Sequence, residues 1–521
     1  MPMNSIVSPI AAKNSTPVAA DAPPDDWTPG FGASFTDLYQ RDGLARLDAA
    51  FIAFLREADA ALHDRLLAAR AAPAAIAGKD ESELIIAVAP HLEDFIGELF
   101  GIRSDLHALK ARHDALAALY SVKRLFVQRR AMKKYGPQVA QSLDGEALRR
   151  EVEALIGGDL TELRFAEWVA ARLDKESEHA AALDIAARYA AWATHTPDGQ
   201  HRHKAVLFKA PGKVDPMRLV PVETEVVDGV TMLKLSDDHR RRREGFALTD
   251  PGADLVGALD QANYCIWCHN QGKDSCAKGL TEKAGGFKRN DFGVALAGCP
   301  LEEKISEMNL VKARGETVGA LAIAIIDNPM CAATGHRICN DCMKSCIYQK
   351  QDPVDIPQIE TRTLKDTLAL PWGFEIYSLL TRWNPLNIRR PLPKPASGRT
   401  VLVVGLGPAG FTLAHHLMND GHAVVAIDGL KIEPLPPEVS GAAIDGTRSR
   451  FRPVRNIASL EENLGSRVMA GFGGVAEYGI TVRWNKNYLK LVRLLLERRA
   501  EFKMFGGVRF GGTFGIEAAF A

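Results

Sequence analysis

The placement of cysteine constrains this chain more than any other feature. All eight cysteines of the 521-residue sequence lie in one 82-residue window. They are Cys265, Cys268, Cys276, Cys299, Cys331, Cys339, Cys342 and Cys346. Cysteines used only as small core residues would be scattered, so this window is expected to fold around something its thiols share. The first thirty residues carry no apolar signal-peptide core, and no apolar run reaches the roughly 18 residues that a membrane span needs. The expectation is a cytoplasmic chain without a membrane span. In that reducing compartment clustered thiols are metal ligands rather than disulfides.

Two residues separate Cys265 from Cys268, and seven separate Cys268 from Cys276. Cys299 precedes Pro300, and Cys339, Cys342 and Cys346 form a dense last group behind Cys331. A Cys-x-x-Cys turn brings two thiolates to neighbouring metals. Iron–sulfur clusters combine such a tight set with one remote cysteine, often before proline, which is the role Cys299 fits. Two structural zinc sites would also use Cys-x-x-Cys pairs, but normally as matched knuckles. The uneven spacing favours two iron–sulfur clusters over zinc or unliganded redox thiols. His269 and His336 stand among the cysteines. With eight thiols at hand they read as hydrogen-bond partners of ligands rather than ligands themselves.

A second motif lies downstream, VLVVGLGPAG over 401–410. Residues 401–404 read as a short buried parallel strand, followed by a Gly-rich turn, a helical run and a strand ending at Asp428. In this βαβ context Gly405 permits the tight turn, Gly407 lets backbone N–H groups approach a pyrophosphate, and Gly410 permits close helix packing. Pro408 and Ala409 complete the loop at the helix N-terminus, where free N–H groups and the helix dipole favour an anion. Asp428 is positioned to accept hydrogen bonds from a ribose hydroxyl pair.

Residues 31 to about 200 read as helical. Leu92, Phe95, Ile96, Leu99 and Phe100 recur at helical spacing within 83–102, as do Phe51, Leu55, Ala58, Leu62 and Leu66 within 49–70. Nothing in these helices names a chemistry. Residues 201–250 mix polar turns with strand-like pieces at 204–210 and 231–235. The Pro-rich stretch 387–400 reads as a linker. Lys plus Arg equals Asp plus Glu at 64 each, so no global field draws nucleic acid. The basic runs at 239–243 and at Arg129, Arg130, Lys133 and Lys134 read as solvated helix faces.

The cysteine window resembles the N-terminal iron–sulfur domain of the glutamate synthase small (beta) subunit and the matching domain of dihydropyrimidine dehydrogenase. The resemblance spans roughly 262–362. It rests on the cysteine order, on Gly298-Cys299-Pro300-Leu301, on Ile305 with Asn309, and on Pro353-Val354-Asp355-Ile356 ending in Ile359-Glu360. It implies two 4Fe–4S clusters with interleaved ligands: Cys265, Cys268, Cys276 and Cys346 for one, Cys299, Cys339 and Cys342 for the other. The family's last ligand is a Gln or Glu, here Glu360. Cys331, which the family pattern lacks, is the rival, slightly favoured because thiolate suits iron–sulfur better than carboxylate does. The Gly-x-Gly-Pro-Ala-Gly loop resembles the FAD loop of flavoproteins with two dinucleotide domains. Gly473, Gly474, Tyr478, Gly479 and Ile480 resemble that family's segment near the flavin, with Thr481 in place of the usual Pro.

The expected architecture is therefore α + α/β. It comprises a disordered tail over 1–30, a helical domain over 31–225 and an α-helical double 4Fe–4S ferredoxin-like domain over 226–386. A Pro-rich linker over 387–399 and an incomplete Rossmann-type FAD-binding domain over 400–521 complete it. The family's NAD(P)H-binding domain is not found in this sequence, which reads as ending mid-domain. The expected function is an iron–sulfur flavoprotein oxidoreductase, or part of one, passing electrons between NAD(P)H, FAD and two 4Fe–4S clusters. Its acceptor would be a redox partner protein or the remainder of a longer chain. The alternatives are a non-catalytic electron-relay or assembly protein and a zinc-stabilised nucleotide-binding module.

Overall fold

A computed structural model describes residues 27–220, 222–240, 248, 250–336, 339–463 and 485–520. The first half is a succession of helices: α1 (Arg41–Ala58), α2 (Ala60–Ala71), α3 (Gly78–Phe100), α4 (Arg103–Asp114) and α5 (Ala117–Val122), then a π-helix over Lys123–Ala131. In α3 the residues expected on one face, Leu92, Phe95, Ile96, Leu99 and Phe100, are all buried. Each such side chain contributes about 1.5–3 kcal/mol on leaving water. Asp80 and Glu81 complement the positive helix start, and Gly101 ends the helix in the left-handed conformation. The apolar line expected through 49–70 is broken. Asp59 stops α1, and its carboxylate accepts the Leu62 N–H to start α2, leaving Ala58 exposed.

Two other expectations differ from the structure. Residues 27–30 are not part of a tail: Trp27 stacks on Trp372 at 4.1 Å, and the Gly30 N–H donates to the Leu99 carbonyl. Residues 204–210 form no strand, because the Val206 and Leu207 N–H groups both turn onto the Glu162 carboxylate. The strand expected at 231–235 does form, as β2 (Val230–Leu235), antiparallel to β1 (Val222–Val227). Asp228 and Gly229 supply the positive-φ turn that such a hairpin needs.

Apolar packing collects into two cores. One gathers α5, the π-helix and the helices Glu162–Leu173 and Ala180–His195. The other joins α1 to α4 with the cysteine window and with the βαβ region. The helices Ile305–Ala313, Thr317–Asp327, Ile356–Leu368 and Gly373–Leu380 form its centre and are buried on nearly every side. Two ion pairs lie inside this core: Lys312 with Asp366 at 2.7 Å, and Arg498 with Glu375 at 2.9 Å. The second pair draws together three distant segments, since the Tyr39 hydroxyl also bonds both partners.

Beyond this, β3 (Thr400–Val404), the helix Pro408–Asn419, β4 (Ala423–Asp428) and β5 (Phe502–Gly506) build a three-stranded parallel sheet in the order β3–β4–β5. The preceding Pro-rich stretch has neither helix nor strand. It is fastened by Lys394 and Ser397, whose N–H groups donate to the Asn419 and Gly421 carbonyls. The molecule is thus a helix-rich mixed structure with small sheets. None of its described helices is long and apolar enough to cross a membrane.

Candidate metal centres and dinucleotide loop

Each cysteine is delivered by a short, sharply turned segment resting on the buried helices. Cys265 caps the helix Leu255–Tyr264, and the turn to Cys268 passes through Trp267 in the left-handed region, its N–H donating to the Cys265 sulfur at 3.4 Å. Cys276 sits in a single turn whose start is capped by Asp274. The Cys299 N–H donates to the Cys276 carbonyl at 2.8 Å, which binds the second segment to the first. Gly298 allows this approach: a Cβ there would lie 2.5 Å from the Ala277 carbonyl oxygen, and its φ is +85°. Cys339, Cys342 and Cys346 flank or occupy the turn Asp341–Lys344.

The thiols fall into two groups. In the first, Cys276 and Cys346 share a thiol–thiol hydrogen bond that pushes Cys276 far up and lowers Cys346 to about 7. Burial, with Cys346 adding to it, pushes Cys265 up to about 11. Burial and then Cys265 push Cys268 up to about 12. Asn309 is wholly buried. Its side-chain amide acts on the Cys265 thiol and has no hydrogen-bond partner among the described residues. Tyr264 and Tyr348 stack beside this group at 4.6 Å.

The second group gathers Cys299, Cys339 and Cys342 with two carboxylates. Burial raises Cys342 well above the ordinary thiol range, and Glu303, Cys299, Glu360 and Cys339 all add to it. Cys299 is pushed up to about 11 by burial and then by Glu303. Burial raises Glu360 well above the carboxylate range and Glu303 to about 7. Cys331 is buried, with Glu360 adding to the rise of its thiol and its sulfur 3.9 Å from the Tyr377 hydroxyl. All eight cysteines are free thiols. Among the described residues no three His, Cys, Asp or Glu side chains gather closely enough to hold a single metal ion.

Sequence reasoning did not single out Glu303 or the action of Asn309 on the Cys265 thiol. Glu303 follows the Cys-Pro motif by three residues, a proximity that would have flagged it. His269 and His336 are buried against Ser306 and Thr361 respectively.

In the βαβ unit the Gly405 N–H donates to the Ile427 carbonyl, and the Phe411 N–H makes the first helical bond to the Gly407 carbonyl. Gly407 caps the helix without any side-chain bond, which leaves the N–H groups of the first turn free for an anion. A Cβ on Gly410 would sit 1.8 Å from the Gly405 oxygen, whereas Gly405 and Gly407 face open space. Pro408 and Ala409 form the first turn, with Ala409 exposed. The Asp428 carboxylate accepts the Leu406 and Leu430 N–H groups, one on each oxygen at 2.8 Å. Each oxygen keeps a second lone pair for another donor. Gly473, Gly474, Tyr478, Gly479, Ile480 and Thr481 lie outside the described residues, as do Arg241 to Arg243 and Arg337.

Comparison with known proteins adds four findings. Residues 29–101 match the RP005 N-terminal alpha-helical domain. The uncharacterised protein RP005 of Rickettsia prowazekii (strain Madrid E) is 33% identical over 301 residues, covering 55% of this chain and 98% of that protein. A second uncharacterised protein of that organism, RP006, is 56% identical over 182 residues, 35% of this chain and 24% of its own length. The small chain of the NADPH glutamate synthase of Bacillus subtilis (strain 168) is 35% identical over 140 residues, 26% of this chain and 25% of that protein. The chain thus spans about a quarter of RP006 and of the glutamate synthase subunit.

Proposed function

Since this chain belongs to the RP005 family, and part of it is similar to an oxidoreductase subunit, we propose that it is an iron–sulfur flavoprotein oxidoreductase or a segment of one. It would carry electrons between NAD(P)H, bound outside this chain, FAD and two 4Fe–4S clusters, and pass them to a redox partner protein or to a further part of the polypeptide. The observation that carries this reading is the assembly of two thiol groups from interleaved positions, with Cys346 joining Cys265, Cys268 and Cys276 across the second group.

The residues fit the groups the reading requires. A four-iron cluster is wider than one ion, so its thiolates stand further apart than the ligands of zinc. Cys265, Cys268, Cys276 and Cys346 would hold one cluster, with the orphaned Asn309 amide donating to sulfur. Cys299, Cys339 and Cys342 would hold the other. Its fourth ligand would be Glu360, which holds the family position and bears electrostatically on Cys342, whereas the Cys331 sulfur is engaged 3.9 Å from the Tyr377 hydroxyl. This reverses the preference drawn from ligand softness. The Gly405–Gly410 turn would hold the FAD pyrophosphate and Asp428 its ribose. When bound, the clusters supply one-electron transfer and the flavin exchanges electron pairs for single electrons. The protein's part is to bury the thiols, exclude water and direct N–H groups at sulfur and phosphate.

Anaerobic purification with iron, acid-labile sulfide, zinc and flavin counted per chain tests this. Two clusters' worth of iron and sulfide with one FAD is expected. Zinc without sulfide would overturn the proposal, and sulfide without flavin would favour a relay that lacks flavin chemistry. Glu360→Ala should lose the second cluster while Cys331→Ala keeps it.

A further inference from the structure

The basic run at Arg129, Arg130, Lys133 and Lys134 does not behave as one solvated face. Arg130 pairs with Glu176 at 2.8 Å and Lys134 with Asp184 at 2.5 Å. Arg129 is exposed and, with exposed Arg124 one π-helical turn earlier, lines a recess between the π-helix and the helix Leu255–Tyr264. Among the described residues neither of these two guanidinium groups makes an ion pair. The recess has two lobes, of about 340 and 310 Å³, which share Tyr120, Arg124, Arg129 and Asn263. A wide π-helical turn is a frequent mark of a functional site, since it displaces side chains from the regular helical ladder.

The lobes differ in chemistry. The first is lined by His113, which is buried to 3% exposure. Its Nδ1 lies 2.8 Å from the Leu109 carbonyl, which can only accept, so the proton is there. Burial, then Lys312, holds the imidazole down to about 4, so it is neutral at ordinary pH. Its Nε2 is therefore a bare acceptor, sealed from solvent and without a hydrogen-bond partner among the described residues. Asp114 is the one carboxylate in this lobe. In the second lobe Asp260 is neutralised by Lys123 at 2.6 Å, and the walls include the stacked rings of Tyr264 and Tyr348. Tyr348 feels Arg124 as well as the thiols Cys346, Cys265 and Cys268, so the recess adjoins the first thiol group. Two guanidinium forks without ion-pair partners among the described residues and a flat aromatic wall converge on one cavity.

We propose that this recess binds a small planar anion, a ring compound bearing a phosphate or carboxylate that Arg124 and Arg129 grip. The guanidinium fork matches the paired oxygens of either acid group. The ring lies against the tyrosine wall. The site does not depend on the redox reading, because none of its residues is a proposed cluster ligand.

The test is calorimetry and thermal shift on the full chain at low ionic strength, with phenyl phosphate, benzoate, inorganic phosphate and a short oligonucleotide as probes. Saturable one-to-one binding of phenyl phosphate or benzoate is expected, and whichever binds identifies the acid group. The Arg124→Gln/Arg129→Gln chain should lose about tenfold or more in affinity, while Lys133→Gln, on the same run but outside the recess, stays within about twofold. Circular dichroism checks that the double variant folds. Should it not, Arg129→Gln alone should still lose several-fold. No saturable binding, or equal loss in Lys133→Gln, would overturn the site. Inorganic phosphate binding as tightly as phenyl phosphate would overturn the planar wall. Binding of an oligonucleotide without either ring probe would overturn the small-ligand assignment.

Discussion

Glu375→Ala is expected to disrupt the junction between the N-terminal helices, the cysteine window and the C-terminal region. Glu375 is 2% exposed and accepts three bonds: from Arg498 Nη1 at 2.9 Å, from the Val454 N–H at 2.7 Å and from the Tyr39 hydroxyl at 2.7 Å. The Arg498 side chain is completely buried, so truncation leaves its cation without a counter-charge, at about 3–5 kcal/mol. The orphaned Val454 N–H costs about 1–3 kcal/mol more, while the Tyr39 hydroxyl keeps its bond from Arg498 and has the Ser378 hydroxyl at 3.4 Å. The total, about 4–8 kcal/mol, approaches the whole stability of an ordinary domain. Urea unfolding followed by near-ultraviolet circular dichroism is the assay. Glu375→Gln keeps an acceptor and should cost less. Adding Arg498→Met to Glu375→Gln should restore part of the loss, because it removes the uncompensated charge. The reasoning is refuted if Glu375→Ala lowers the unfolding free energy by less than about 1 kcal/mol, the worth of an exposed pair.

Burial raises Glu93 to about 7, so the native state holds a proton that the unfolded chain releases above about 4.5. Its stabilisation is full below about pH 4.5 and is lost as pH rises through about 7, by about 3 kcal/mol. Glu93→Gln keeps an acceptor for the Val318 and Gly319 N–H groups; it should match the wild type in denaturant midpoint near pH 4 and exceed it at pH 8, and equal midpoints at both would refute the assignment. Cys265→Ser and Cys299→Ser should each remove about half the iron and sulfide, and loss of all metal in either would show that the two groups do not load separately. Gly410→Ala forces a methyl into the Gly405 oxygen, so FAD should be absent while cluster content holds; full flavin occupancy would count against the loop as the pyrophosphate site.

The local signals were legible because they are written within a few residues of one another. The face of α3 needs only residues three and four apart, and the Gly405–Gly410 turn sits inside six residues. Asp59 was readable too, as a capping residue interrupting an apolar line, but periodicity alone runs straight through it. Spacing could nominate the eight cysteines but not pair them; the interleaved pairing came from family resemblance. Glu303 was within reach through its closeness to Cys299-Pro300, but the Glu375–Arg498–Tyr39 junction was not, because its partners are remote in sequence.

What the sequence by itself determined is the helical character of the first half, the βαβ loop and the confinement of all the thiols to one window. What the tertiary structure decided is that Cys346 comes beside Cys276, that Glu303 and Glu360 both bear on Cys342, and that Arg124 and Arg129 line a recess. The physical reason is range. Helix and turn preferences act between neighbours along the chain. Burial, ion pairing and ligand grouping act between groups that only packing brings together, and packing around the buried helices joins Cys276 to Cys346, seventy residues on.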